Sequence, residues 1–119
     1  MSILNERREY ATGRADYSKG TLKIVAVNAP VPFELEITKD EYVIGRKKEM
    51  VDGLISFNKA VGRVHCKIVH SAGRYAIIDL NSSNGTYVNR VRIQSNQPYP
   101  IKEGDVIRLA NSQFRVEFT

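Results

Sequence analysis

The sequence predicts an all-β fold, an antiparallel β-sandwich of about eleven strands. Three observations lead there. From Thr21 onward, apolar and polar residues alternate at period two, the pattern of half-buried strands. Turn clusters interrupt the alternation at short intervals, at Asn28 to Pro32, Ser71-Ala72-Gly73, Asn84-Gly85 and Lys102-Glu103-Gly104-Asp105. No stretch sustains a helical period, and many short strands separated by turns build sandwiches or barrels.

The elements follow in order. Residues 1–20, MSILNERREYATGRADYSKG, are charged and lack strand alternation, so they are expected to form a flexible tail or linker, with the folded domain at 21–119. TLKIVAV opens the β region. FELEI places Phe33, Leu35 and Ile37 on one face and Glu34 and Glu36 on the other. YVIG, CKIVH, YAIIDL, TYV, VRI, DVIRL and FRVEF follow, with two weaker segments around Leu54-Ile55 and Gln97 to Pro100. The connections should be surface loops, where binding residues concentrate.

A chain of 119 residues with 42% hydrophobic content fits one domain with a real core. Its 18 Lys and Arg against 13 Asp and Glu, net +5, suit an anionic partner: nucleic acid, acidic lipid or a phosphorylated chain. One cysteine, Cys66, excludes an intramolecular disulfide framework. No apolar run reaches membrane-spanning length and no signal peptide is visible, so no membrane partner and a reducing, cytoplasmic setting are expected. The acceptor patterns at Asn81-Ser82-Ser83 and Asn84-Gly85-Thr86 then read as chance products of a polar loop.

Enzymatic readings fail on spacing. His65, Asp79 and the serines form no nucleophile elbow. Among His65, Cys66 and His70, the neighbours His65 and Cys66 point to opposite faces of a strand and a fourth ligand is lacking, so neither a metal nor another cofactor is expected. Gly45-Arg46-Lys47-Lys48 has one glycine and is no nucleotide cradle.

Three loops can bind. In the first, Gly45 allows close backbone approach and Arg46 presents a planar fork suited to phosphate. In the second, Ala60 to His65, Arg63 adds a cation and His65 can tie a loop through both ring nitrogens. The third, NSSNGTYVN at Asn81 to Asn89, combines a turn signal at Asn84-Gly85, where both residues tolerate positive φ, with hydroxyls and amides that can bond phosphate oxygens and a peptide backbone. Those hydroxyls can equally satisfy the loop's own backbone.

Together, Gly45-Arg46, Arg63-x-His65, Asn81-Ser82-Ser83-Asn84-Gly85-Thr86-x-x-Asn89 and Glu103-Gly104-Asp105-x-Ile107, in this order, resemble the forkhead-associated (FHA) domain over roughly residues 22–118. The resemblance implies an eleven-stranded FHA/SMAD-like sandwich that binds phosphothreonine peptides through loops at one end, in Ser/Thr kinase signalling. It implies that Arg46 is the main phosphate contact, with Ser83 helping to hold the phosphate and Asn84 bonding the peptide backbone. Gly45 and His65 would shape and brace the loops, Gly85 and Thr86 would hold the turn, and Asn89 would close it. The sequence departs from the family at Gly62, where Ser-Arg-x-His is usual and the serine contacts phosphate. The Gly62 amide, Lys47 or Arg63 are the expected substitutes.

Two other readings stand beside this one. A phospho-independent assembly module would dock an unmodified surface, and Gly62 is the feature that favours it. Nucleic-acid binding rests on charge alone and lacks clustered aromatics on a basic face. Thr12, in EYATGRAD, is a candidate modification site through which the tail would reach its own or a neighbouring domain.

Overall fold

The computed structural model describes residues 20–118, so the tail reading and Thr12 lie outside the described residues. Among the described residues, eleven strands form two sheets. They are β1 (Leu22–Ala26), β2 (Glu34–Glu36), β3 (Glu41–Gly45), β4 (Gly53–Leu54), β5 (Cys66–Ser71), β6 (Arg74–Asp79), β7 (Thr86–Val88), β8 (Val91–Arg92), β9 (Tyr99–Ile101), β10 (Val106–Leu109) and β11 (Ser112–Phe118). One sheet has the order β2-β1-β11-β10-β7-β8, the other β4-β3-β5-β6-β9. All pairings are antiparallel except β3 with β4. Both weak segments of the sequence are strands, β4 and β9.

Period-two alternation decides what faces inward. Leu22 and Ile24 on β1, Ile107 and Leu109 on β10, and Phe114 and Val116 on β11 are fully buried from one sheet. Ile44, Cys66, Ile68 and Ile77 meet them from the other. Burying each such aliphatic or aromatic side chain contributes about 1.5–3 kcal/mol, enough to hold the sheets face to face. Phe33 packs edge-on against Phe57 and Phe114, at 5.1 and 6.4 Å between ring centres. Register follows the pleat. Leu22 lies opposite Phe118 and Ala26 opposite Phe114, while Tyr75 lies opposite His70 and Asp79 opposite Cys66.

The topology gathers the candidate loops. β6 ends in one sheet and β7 begins in the other, so the segment between them crosses the open edge of the sandwich. The loops after β3 and before β5 lie at the same end. The Ala110 amide at the β10–β11 turn donates to Gly85 O at 3.0 Å, which brings that turn alongside.

Candidate functional site

The first two loops are joined along their backbones. Arg46 N donates to Gly62 O at 3.0 Å, Lys47 N to Arg63 O at 3.1 Å, and His65 N to Ile44 O at 2.9 Å. Gly45 sits in the middle of this seam. A Cβ there would lie 2.1 Å from Arg63 O, so glycine is required because another backbone passes where a side chain would be. The Arg46 side chain is half-buried and its Nε donates to Val61 O. That bond anchors the guanidinium through Nε, and its two terminal NH₂ groups take no hydrogen bond among the described residues.

His65 ties the second loop to the third. It is fully buried; its Nδ1 accepts from the Gly62 amide at 2.8 Å, and its Nε2 lies 2.9 Å from Gly85 O. Since the amide must donate, Nδ1 is the acceptor and Nε2 carries the proton given to Gly85 O. Burial holds the His65 pKa below its ordinary value, against the opposing pull of the Gly85 carbonyl and the Asp79 charge, so the ring stays neutral. This corrects one expectation. The Gly62 amide is committed to His65 and is not a substitute donor for the missing serine. Lys47 and Arg63 are exposed, and among the described residues neither side chain has an ion pair.

The third loop is organised by a residue the sequence reading set aside. Asp79 is 2% exposed, and its carboxylate accepts from Ser82 Oγ at 2.5 Å, Ser82 N at 3.2 Å, Thr86 Oγ1 at 2.7 Å and Ser95 Oγ at 2.6 Å. Burial pushes its pKa up, but the bonds from Ser82, Ser95 and Thr86 outweigh this and hold it below the ordinary carboxylate range. Ser82 Oγ in turn accepts from Gly85 N at 3.0 Å. A signal for Asp79 was present: alternation along RYAIID buries Tyr75 and Ile77, and Asp79 is next on that face.

Asn84 reaches over to the second loop, its Nδ2 donating to Ala60 O at 2.8 Å. Its Oδ1 and the exposed Ser83 hydroxyl take no hydrogen bond among the described residues. Asn58, also missed in the sequence, secures the second loop. Its Oδ1 accepts from Ala60 N at 2.9 Å while Nδ2 donates to Asn111 Oδ1 and Ser112 Oγ, both at 2.7 Å.

One turn assignment changes. At Asn84-Gly85 only Gly85 has positive φ, at 86°, and the segment joins the two sheets. Asn89 does not close this loop. With φ of 49°, beside Arg90 at 74°, it forms the two-residue β7–β8 turn at the far end of β7. Its side chain bonds Asp105 Oδ1 at 3.0 Å and Val106 N at 2.9 Å. The Asn89 and Glu103-Gly104-Asp105 motifs are therefore one structural clasp, away from Arg46. The structure thus brings Arg46, Gly62, Arg63, Ser83 and Asn84 to one end, held by Gly45, His65, Gly85 and Thr86.

Comparison with known proteins meets this geometry. The family model for the FHA domain matches residues 42–110. The E3 ubiquitin-protein ligase CHFR of Xenopus tropicalis is 42% identical over 76 residues, 62% of this chain and 12% of the ligase. The probable E3 ubiquitin-protein ligase dma1 of Schizosaccharomyces pombe is 33% identical over 75 residues, 56% of this chain and 28% of that protein. The chain thus spans a small part of these curated relatives. The FHA domain of an Arabidopsis thaliana hypothetical protein superposes with a TM-score of 0.76 at 25% identity, over 92% of this chain and 94% of that one. A structure from a study of phosphothreonine-dependent FHA domain interactions superposes at 0.71 and 26% identity, over 82% and 95%.

Proposed function

The chain belongs to the FHA domain family, and on that premise we propose that it is a phosphothreonine-peptide recognition module, a binding element serving Ser/Thr kinase signalling rather than a catalyst. The observation that carries the reading is the set of unspent hydrogen-bonding groups at one end of a rigid sandwich: the terminal NH₂ groups of Arg46 and the Ser83 hydroxyl as donors, and Asn84 Oδ1 as an acceptor. The domain in this reading is 21–119, with residues 1–20 outside it. A reducing, cytoplasmic setting is part of this reading, and the buried free thiol of Cys66 is compatible with it. No helix among the described residues is long and apolar enough to cross a membrane.

The mechanism is electrostatic capture by a preformed site. A phosphothreonine carries about −1.5 to −2 charges and three acceptor oxygens. Arg46 supplies a fork already aimed by Val61 O, Ser83 a hydroxyl, and Lys47 and Arg63 nearby charge. Asn84 Oδ1 is placed to accept a peptide N–H and so set register. His65 and Asp79 hold the loops before the ligand arrives, which lowers the entropy cost of binding. Gly62 and Arg63 contribute backbone and charge, without the serine hydroxyl usual in the family.

The test is a titration against degenerate phosphothreonine, phosphoserine and unphosphorylated peptide libraries, with Arg46→Ala alongside. Selective binding to phosphothreonine that is lost in the variant supports the reading. Binding without phosphate preference by folded protein, insensitive to Arg46→Ala, would instead support a phospho-independent assembly module.

A further inference from the structure

The positive charge of this domain is not spread evenly. Among the described residues, Lys23, Lys39, Lys67, Lys102 and Arg115 each lie within 3.5 Å of a carboxylate. The cations without such a partner fall into two groups, Arg74 aside. One is the loop cluster of Arg46, Lys47, Lys48, Lys59 and Arg63. The other is Arg90, Arg92 and Arg108, on the outer face of the six-stranded sheet.

This second group is ordered. Register aligns Arg92, Tyr87 and Arg108 across β8, β7 and β10. The Arg108 guanidinium lies 3.8 Å from the Tyr87 ring centre and donates to Ala110 O at 2.7 Å, so it is fixed in place. Arg92 lies 5.9 Å from the same ring. A groove of about 350 Å³ opens beside the ladder, lined by Asn89, Arg90, Val106, Arg108 and Gln113. The face is also continuous with the candidate site. A Cβ on Gly85 would lie 2.8 Å from Arg92 Nε, and the Ala110 that holds Arg108 donates to Gly85 O.

We propose that this arginine face is a second contact surface, taking an acidic segment of the same partner whose phosphothreonine occupies the loops. The proposal rests on the phosphothreonine reading for its first anchor. Charge complementarity and continuity with Gly85 select the occupant. Three guanidinia without carboxylates favour Asp- or Glu-rich peptide. Arg108 already covers the Tyr87 ring at 3.8 Å, which leaves that face closed to a nucleobase. Along β7 the surface runs only three residues, about 10 Å at strand rise. An extended segment of eight residues reaches about 26 Å, longer than that face.

The experiment uses a phosphothreonine peptide selected on the full chain. It is extended by eight residues on either side in an acidic and a neutral version, and titrated at low and physiological salt. The acidic extension on one side should tighten binding about tenfold, with the gain falling as salt rises. The Arg90→Gln, Arg92→Gln double variant should lose that gain and keep the affinity of the unextended peptide. An acidic extension worth less than twofold on both sides overturns the proposal, while Arg46-dependent binding of the short peptide would leave the phosphothreonine reading intact. If no phosphopeptide binds, amide shifts in an NMR titration with the unphosphorylated acidic peptide decide. Shifts confined to β7, β8 and β10 support the face, and shifts elsewhere or none refute it. A single-stranded oligonucleotide that competes for these shifts more strongly than the acidic peptide would also refute it.

Discussion

Replacing Gly62 by serine should restore a phosphate donor. The position lies in the loop beside Arg46, whose amide bonds Gly62 O at 3.0 Å. Its backbone is not in the left-handed region, and a Cβ there would meet His65 Nδ1 at 3.4 Å and the His65 Cα at 3.6 Å, ordinary contact distances. The residue therefore fits without a backbone shift. A charge-assisted hydrogen bond from the new hydroxyl contributes about 1.5–3 kcal/mol, so affinity for a phosphothreonine peptide should rise about ten- to a hundredfold. Gly62→Ala fills the same space without the hydroxyl and is the control. Both variants should gain about 0.4–1 kcal/mol of stability from a stiffer unfolded chain, read separately by denaturant unfolding. Calorimetric titration with matched phosphorylated and unphosphorylated peptides measures the difference. If Gly62→Ser binds no tighter than Gly62→Ala, and both are folded, the second loop does not face the phosphate. The new hydroxyl would instead have turned to His65 Nδ1 in place of the Gly62 amide.

Other outcomes follow from the same network. Asp79→Ala strips the acceptor from four donors in a buried site and should cost about 3 kcal/mol or more in denaturant unfolding, with phosphopeptide binding weakened beyond the loss of folded protein. Gly45→Ala drives a Cβ to 2.1 Å from Arg63 O, and separating that backbone seam should cost about 3 kcal/mol or prevent folding, seen by thermal unfolding. His65 gives a signed pH effect. Its folded pKa lies below the unfolded 6.5, so the unfolded chain binds the proton first. Its contribution to stability is complete above pH 6.5 and falls as pH drops towards the folded pKa. In His65→Gln that part of the slope should vanish from unfolding measured between pH 7.5 and 5.

Most of the fold could be read from the sequence because it rests on local signals. All eleven strands lie where alternation between turn clusters places them, including the two weak ones, since period two reports burial directly. The site was half legible. Arg46, Arg63, Ser83 and Asn84 occupy one end because motif order carries loop order. The failures share one cause, which is pairing across distance. Asn89 reads as part of NSSNGTYVN, yet its partners are Asp105 and Val106, sixteen and seventeen residues on. The Gly62 amide appeared free because nothing in Gly-Arg-x-His says which way the imidazole turns. Asp79 closes the argument. A carboxylate on the buried face of an alternating strand costs stability unless donors meet it, and the nearest donors downstream are Ser82, Thr86 and Ser95. The hydroxyls of the third loop therefore divide between two tasks. Those of Ser82 and Thr86 are spent inward on Asp79, and that of Ser83, between them, is left for a ligand.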